Sequence, residues 1–277
     1  MKKVLYLLFA CVLCSALIFT ACSKESQEQP DESSKTTEAE VTQEQIEKDI
    51  IGTWIKSEAD GESVPTDEKS VYNIVSATEA YTSVSLAAGD KAPFYYNQKS
   101  EVDIDGNVVT ITTRNSEEES FVHEFTISNI SADEFTADKK FTHTLNGTDP
   151  EAKEYNVTFV KVSDDYSKDI LGTWEGHCTS EGSVFDDGQD HRWEYKDDGT
   201  FVYYVKDDEN WVPSADEMNE YFVAGNLLCT RWTENGEENR EWWEISIDGD
   251  KMKWTALREG EDGKTFTASF EMTKVQE

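Results

Sequence analysis

Between Thr265 and Lys274 the chain alternates: Phe266, Ala268, Phe270 and Met272 are apolar, while Thr265, Thr267, Ser269, Glu271 and Thr273 are polar. A period of two puts each set on its own face, so the segment is predicted to be a strand with one side buried. Phe121, Phe125 and Ile127 repeat the pattern, with His123 falling on the apolar side. In the second half of the chain, aromatic and β-branched runs occupy 192–196, 201–206, 221–223, 227–233, 240–247, 251–257 and 265–275. With 172–174 they make eight predicted strands. Asp198-Gly199, Asn235-Gly236, Asp248-Gly249 and Asp262-Gly263 punctuate them, as Asp105-Gly106 and Asn146-Gly147 do in the first half. Such pairs tolerate the positive φ of type I′ turns, so successive strands are predicted to pair antiparallel. Helix is confined to 42–48, where Thr42 and Gln45 fit a capping box, and to a short patch at 214–219. The chain is predicted to be nearly all-β.

The strand pattern is written twice. Lys48-Asp49-Ile50-Ile51-Gly52-Thr53-Trp54 recurs 120 residues later as Lys168-Asp169-Ile170-Leu171-Gly172-Thr173-Trp174, identical at six of seven positions. Phe135-Thr136-Ala137 has a counterpart in Trp254-Thr255-Ala256, and the copies end on similar strands at 155–162 and 267–275. A period this long lies far beyond solenoid repeats, so two tandem domains with separate cores are expected, over 47–163 and 164–277.

The front of the chain has a different pattern. Met1-Lys2-Lys3 precedes an uncharged apolar run from Val4 to Ala21, which breaks into Ser23-Lys24-Glu25-Ser26. A basic start, an apolar stretch and small residues before the break mark a secretory signal over 1–21. Thr20-Ala21-Cys22 resembles the lipobox of bacterial lipoproteins, although Phe19 stands where leucine is usual. The resemblance implies cleavage before Cys22 and lipidation of its thiol and amine. Cys11 and Cys14 would leave with the signal. Several acyl chains anchor firmly where a single one binds marginally. Ser23 rather than Asp implies the outer membrane as destination. From 22 to 46 the chain is read as an acidic, flexible tether: 23–45 has no aromatic residue and too little apolar surface to order it.

Charge narrows the partners. Fifty-eight acids against 25 lysines and arginines give a net charge of −33, which repels phosphate and excludes nucleic acid. The only membrane contact expected is the lipid anchor. The 8 Trp, 11 Tyr and 13 Phe supply a core that so charged a chain would otherwise lack.

Gly-Thr-Trp on a first strand after a short helical lead-in is similar to the Gly-x-Trp signature of the lipocalin (calycin) superfamily. With the Asp198-Gly199-Thr200 hairpin, it resembles more closely the small lipocalin-like domains on lipoproteins of Bacteroidetes-type bacteria. The resemblance covers both copies. It implies two tandem eight-stranded antiparallel lipocalin-like barrels, with Trp54 and Trp174 as packing residues closing each base. Each copy is shorter than a typical lipocalin, and the Thr-Asp-Tyr and Arg motifs of the superfamily are missing, which argues against a roomy cavity.

Seven of the eight tryptophans lie in the second copy. Trp242 and Trp243 are neighbours on one strand and must face opposite ways. Trp243 shares its parity with Ile245 and Ile247 and is assigned inward. Trp242 then points outward with Arg240 and Glu244, either stacking on a sugar or a partner or packing against the other domain, the latter preferred. Trp211, in a predicted loop, and Tyr204 complete a candidate ligand or partner contact with Trp242 and Arg240. Cys178 and Cys229 would sit in an oxidising compartment, open either to one disulfide or to two separate thiols. His177, Cys178 and His191 lack the spacing of a zinc site, and Asp186-Asp187-Gly188 lacks the distant glutamate of an EF-hand, so no metal or cofactor is expected. No Gly-x-Ser-x-Gly, His-Glu-x-x-His, phosphate loop or Cys-x-x-Cys occurs, which argues against an enzyme. Two functions stay open: a non-catalytic binding module for a small apolar ligand or glycan, and an accessory or adhesin-type lipoprotein that binds protein alone.

Overall fold

The computed structural model describes residues 41–85, 94–148, 152–180, 186–215, 217–234, 236–260 and 263–276. The expected signal segment, Cys22 and the expected tether as far as residue 40 lie outside them. Among the described residues no helix is long and apolar enough to cross a membrane. Glu40–Glu277 forms one compact unit.

The first copy opens on helix α1 (Gln43–Asp49) and continues through strands β1 (Gly52–Ala59), β2 (Glu62–Ser63), β3 (Ser70–Ser76), β4 (Glu79–Ser85), β5 (Phe94–Asp105), β6 (Val108–Arg114), β7 (Glu119–Ile130), β8 (Glu134–Leu145) and β9 (Lys153–Val162). Each strand from β3 pairs antiparallel with the next, β1 pairs with β3, and β9 returns to β1. Eight strands therefore close a barrel without a free edge, and β2 is a small hairpin on β1. Thr42 caps α1 by accepting a hydrogen bond from the Gln45 backbone N–H at 3.3 Å. The reciprocal half of the capping box is not made, because the Gln45 amide donates instead to the Ile130 carbonyl. Ile46 and Ile50 of this lead-in plug the barrel base above Trp54.

The second copy comprises β10 (Gly172–Cys178), β11 (Asp190–Tyr195), β12 (Phe201–Asp207), β13 (Asn210–Pro213), β14 (Glu217–Ala224), β15 (Leu227–Glu234), β16 (Glu237–Asp248), β17 (Lys251–Glu259) and β18 (Thr265–Lys274). Its order is β13-β12-β11-β10-β18-β17-β16-β15-β14, a strongly curled sheet of nine strands. The helical patch expected at 214–219 does not form. Glu217 onward is strand, because Tyr221 and Val223 must alternate into the core while β14 pairs with β15. The edges β12 and β14 meet at a single Thr200–Glu220 bridge and the Tyr221 N–H to Gly199 carbonyl bond. The turns also differ in detail. Asn146-Gly147 has positive φ at both residues, whereas at Asp105-Gly106, Asp198-Gly199 and Asp248-Gly249 only the glycine does.

The repeated Gly-Thr-Trp has the same local structure in both copies. Trp54 and Trp174 are fully buried, and each indole N–H donates at 2.6 Å to the carbonyl four residues earlier, Ile50 or Ile170. Lys161 and Lys274 lie 5.0 and 5.1 Å from the two ring centroids. Their stems cross Gly52 and Gly172, whose φ of 143° and 108° and missing Cβ leave the room.

Alternation assigns the inner faces as expected: Phe270, Met272, Trp243 and Ile245 enter the second core, and Phe125 and Ile127 the first. A third apolar cluster lies outside both barrels. Ile55 and Val71 on the outer side of β1 and β3 meet Phe222, Leu227, Cys229 and Trp242 on the outer side of β14–β16. The 3₁₀ turn Thr66–Glu68 fastens this face: the Leu257 N–H donates to Thr66 Oγ1 at 2.9 Å, Lys69 pairs with Glu244, and Arg258 lies 3.8 Å from Asp67.

Candidate functional site

The four residues singled out as a surface contact do not form one site. Trp242 does point outward, but it is 1 % exposed, covered by the first barrel and packed edge-on against Phe222. Arg240 is on the same wall, bonded to Glu238 and lying over Phe94 at 5.2 Å. Neither is open to a ligand, and the assignment of this pair as a contact site is corrected. Trp211 and Tyr204 belong to the opposite wall. Trp211 is in strand β13 rather than a loop, stacked under Arg192 at 4.7 Å, and the Tyr204 hydroxyl donates to Glu194 at 2.6 Å. Arg192 is in turn tied to Glu175. Cys178 and Cys229 form no disulfide. Cys178 packs on the interior of the second barrel and Cys229 on its exterior, so the sheet itself separates the sulfurs.

The concave site of the second copy lies where its sheet fails to close. Beyond the Thr200–Glu220 bridge, β12–β13 and β14–β15 diverge, and a cavity of about 620 Å³ opens into the barrel. Trp193 (β11), Trp232 (β15), Trp243 (β16) and Trp254 (β17) wall it, with Tyr203 and Phe270. The rings brace one another, Trp193–Trp254 at 4.8 Å and Trp243–Trp254 at 5.4 Å between centroids. This corrects the expectation of little room.

The polar side chains on its lining are Asp187, His191, Ser214, Thr230, Glu234 and Glu241. At the rim Tyr203 and His191 share a hydrogen bond of 2.8 Å, and the other His191 nitrogen lies 3.2 Å from Asp187. Deeper, Glu241 accepts from the Trp243 indole at 3.1 Å. Burial pushes the Glu241 carboxyl up, opposed by the nearby Arg258 guanidinium and by the Trp243 hydrogen bond. Arg258 is stacked 4.6 Å over Trp243 and donates to the Trp242 carbonyl. Trp254 Nε1 is buried and meets no acceptor among the described residues. An apolar pocket with a few convergent polar groups is the usual form of a small-molecule site. A larger hollow of about 870 Å³ along β10 and β16–β18 is lined by charges of both signs, including Glu175, Lys251, Lys253 and Glu271. It has no comparable aromatic wall and reads as a solvated concavity.

No protein-family model matches the chain, and no curated protein sequence matches it. Function therefore rests on geometry. Sequence parity placed Trp243 inside but could not show that Trp193, Trp232 and Trp254 meet it at an open seam, since that depends on where β12 and β14 part.

Proposed function

We propose that this chain is a non-catalytic binding module whose second barrel takes a small apolar ligand, or the apolar face of a sugar, between its four cavity tryptophans. The reading is carried by the cavity at the seam, of about 620 Å³, with indole walls and a buried Trp254 N–H that lacks an acceptor among the described residues. An unsatisfied buried donor is costly, and a ligand acceptor would complete it. Flat apolar walls favour a planar or alicyclic body, and the Tyr203–His191–Asp187 chain gives the rim a fixed polar edge.

The lipocalin-like resemblance of Gly-Thr-Trp and the barrel architecture agree with this reading. The lipobox-like Thr20-Ala21-Cys22 supports a cell-envelope lipoprotein, held at the outer membrane by acyl chains on Cys22. Native mass spectrometry of the full chain released from detergent tests the proposal. A retained ligand of small mass, lost in Trp232→Ala, is the expected result. A bare mass, together with indole fluorescence unmoved by a panel of small apolar compounds and oligosaccharides, would refute it and favour an accessory or adhesin-type role.

A further inference from the structure

The interior of the first barrel changes character along its axis. At the α1 end Ile74, Ile111, Phe125, Ile127 and Phe135 pack around a void of only about 10 Å³. One layer further from α1, Lys56 (β1), Tyr72 (β3), His123 (β7) and Lys139 (β8) converge. They are 9, 1, 6 and 5 % exposed. The Tyr72 hydroxyl lies 3.2 Å from His123 Nδ1 and 3.5 Å from Lys139 Nζ. His123 Nε2 is buried with no partner among the described residues. The Lys139 ammonium is 5.5–6.0 Å from the centroids of Tyr72, Phe125, Phe141 and Tyr155.

Among the described residues neither lysine nor the histidine has an ion-paired carboxylate, and the one opposing field on Lys56, that of Glu68, does not outweigh burial. The charge of Lys69 lowers the basicity of Lys56 further. Lys56 and Lys139 repel each other, and both depress the basicity of His123. The second barrel treats its buried cation differently, giving Arg258 both Asp67 at 3.8 Å and the field of Glu241. At the position matching Lys56, two residues after the repeated tryptophan, it has Gly176. In so acidic a chain, three basic groups converge where no acid among the described residues pairs with them. Buried charges are ordinarily paired.

We propose that the first barrel holds an anion site for the carboxylate of a small apolar acid, with Lys139 and Lys56 as counter-charges and His123 and Tyr72 as hydrogen-bonding partners. Half-buried Phe141 and Tyr155 flank the Lys139 ammonium, and beyond them His143 is bonded to Glu119 at 2.9 Å with Phe121 stacked on it at 4.4 Å. Such rings suit an apolar body behind the carboxylate better than a fully hydrated inorganic anion. The site is separate from the second-barrel cavity and stands whether or not that cavity is filled.

Benzoate labelled with ¹³C at its carboxyl is the probe, titrated by NMR into the full chain in non-ionic detergent. Saturable binding of one equivalent is expected, not displaced by benzyl alcohol, and unchanged in Trp232→Ala. Lys139→Met should weaken it about tenfold or more, because one partner of a buried charge pair is removed. Lys56→Met provides a second variant with the same expected direction should Lys139→Met fold poorly by circular dichroism. Benzoate affinity equal to wild type in a folded lysine variant, displacement by benzyl alcohol, or no saturable binding by about 10 mM, too weak to be a specific site, would each overturn the site.

Discussion

Replacing Lys139 by methionine should stabilise the first barrel, and by an amount that depends on pH. Methionine keeps the length and the contacts of the stem while removing the charge. Burial, followed by the charge of Lys56, lowers the Lys139 pKa from 10.5 to about 7. Each pH unit between those values is worth about 1.4 kcal/mol, so the ammonium costs the folded state about 5 kcal/mol when fully charged. Attraction to the four surrounding rings returns about 0.5–2 kcal/mol, leaving a net gain of about 3–4.5 kcal/mol for the variant below neutral pH. Because the folded pKa is the lower one, the unfolded chain binds more protons between about pH 7 and 10.5. Wild-type stability from this group therefore rises with pH across that window. The assay is urea unfolding of both proteins followed by circular dichroism from pH 6 to pH 9. The advantage of Lys139→Met should be largest at pH 6 and shrink by about 3 kcal/mol at pH 9. Parallel stability curves, or a variant less stable than wild type throughout, would show that Lys139 is not held charged in an apolar site.

Trp242→Ala removes a side chain that is 1 % exposed between the two barrels and should cost about 3–5 kcal/mol in thermal unfolding; a loss below about 1 kcal/mol would mean that the covered face contributes little. Gly176→Ala would place a Cβ 2.0 Å from the Glu271 carbonyl, so β10 and β18 must separate and the second barrel should lose several kcal/mol, about the upper end for overpacking. Wild-type stability in that variant would contradict the close approach. Cys22→Ser should abolish lipid labelling and move the protein out of the membrane fraction, and unchanged fractionation would refute the anchor.

Much of the wall structure was legible in the sequence. Period-two alternation separated Phe266, Ala268, Phe270 and Met272 from their polar neighbours, and the same parity put Trp243 inward and Trp242 outward. The repeated Gly-Thr-Trp announced two copies, and its tryptophans lie buried at equivalent places in both barrels. What alternation could not supply was the identity of whatever covers an outer face. Trp242 is buried in a cluster that joins it to Ile55 and Val71 of the other copy, and Cys178 and Cys229 are divided by the sheet that carries them both. The aromatic cavity exists because β12 and β14 touch at one bridge and then part, and the cationic layer exists because β1, β7 and β8 bring Lys56, His123 and Lys139 to one height. A strand's sequence fixes which side each residue faces, since that follows from local backbone geometry. The height at which residues of different strands meet, and whether the sheet closes over them, are set by register between segments far apart in the chain, which tertiary structure alone decided.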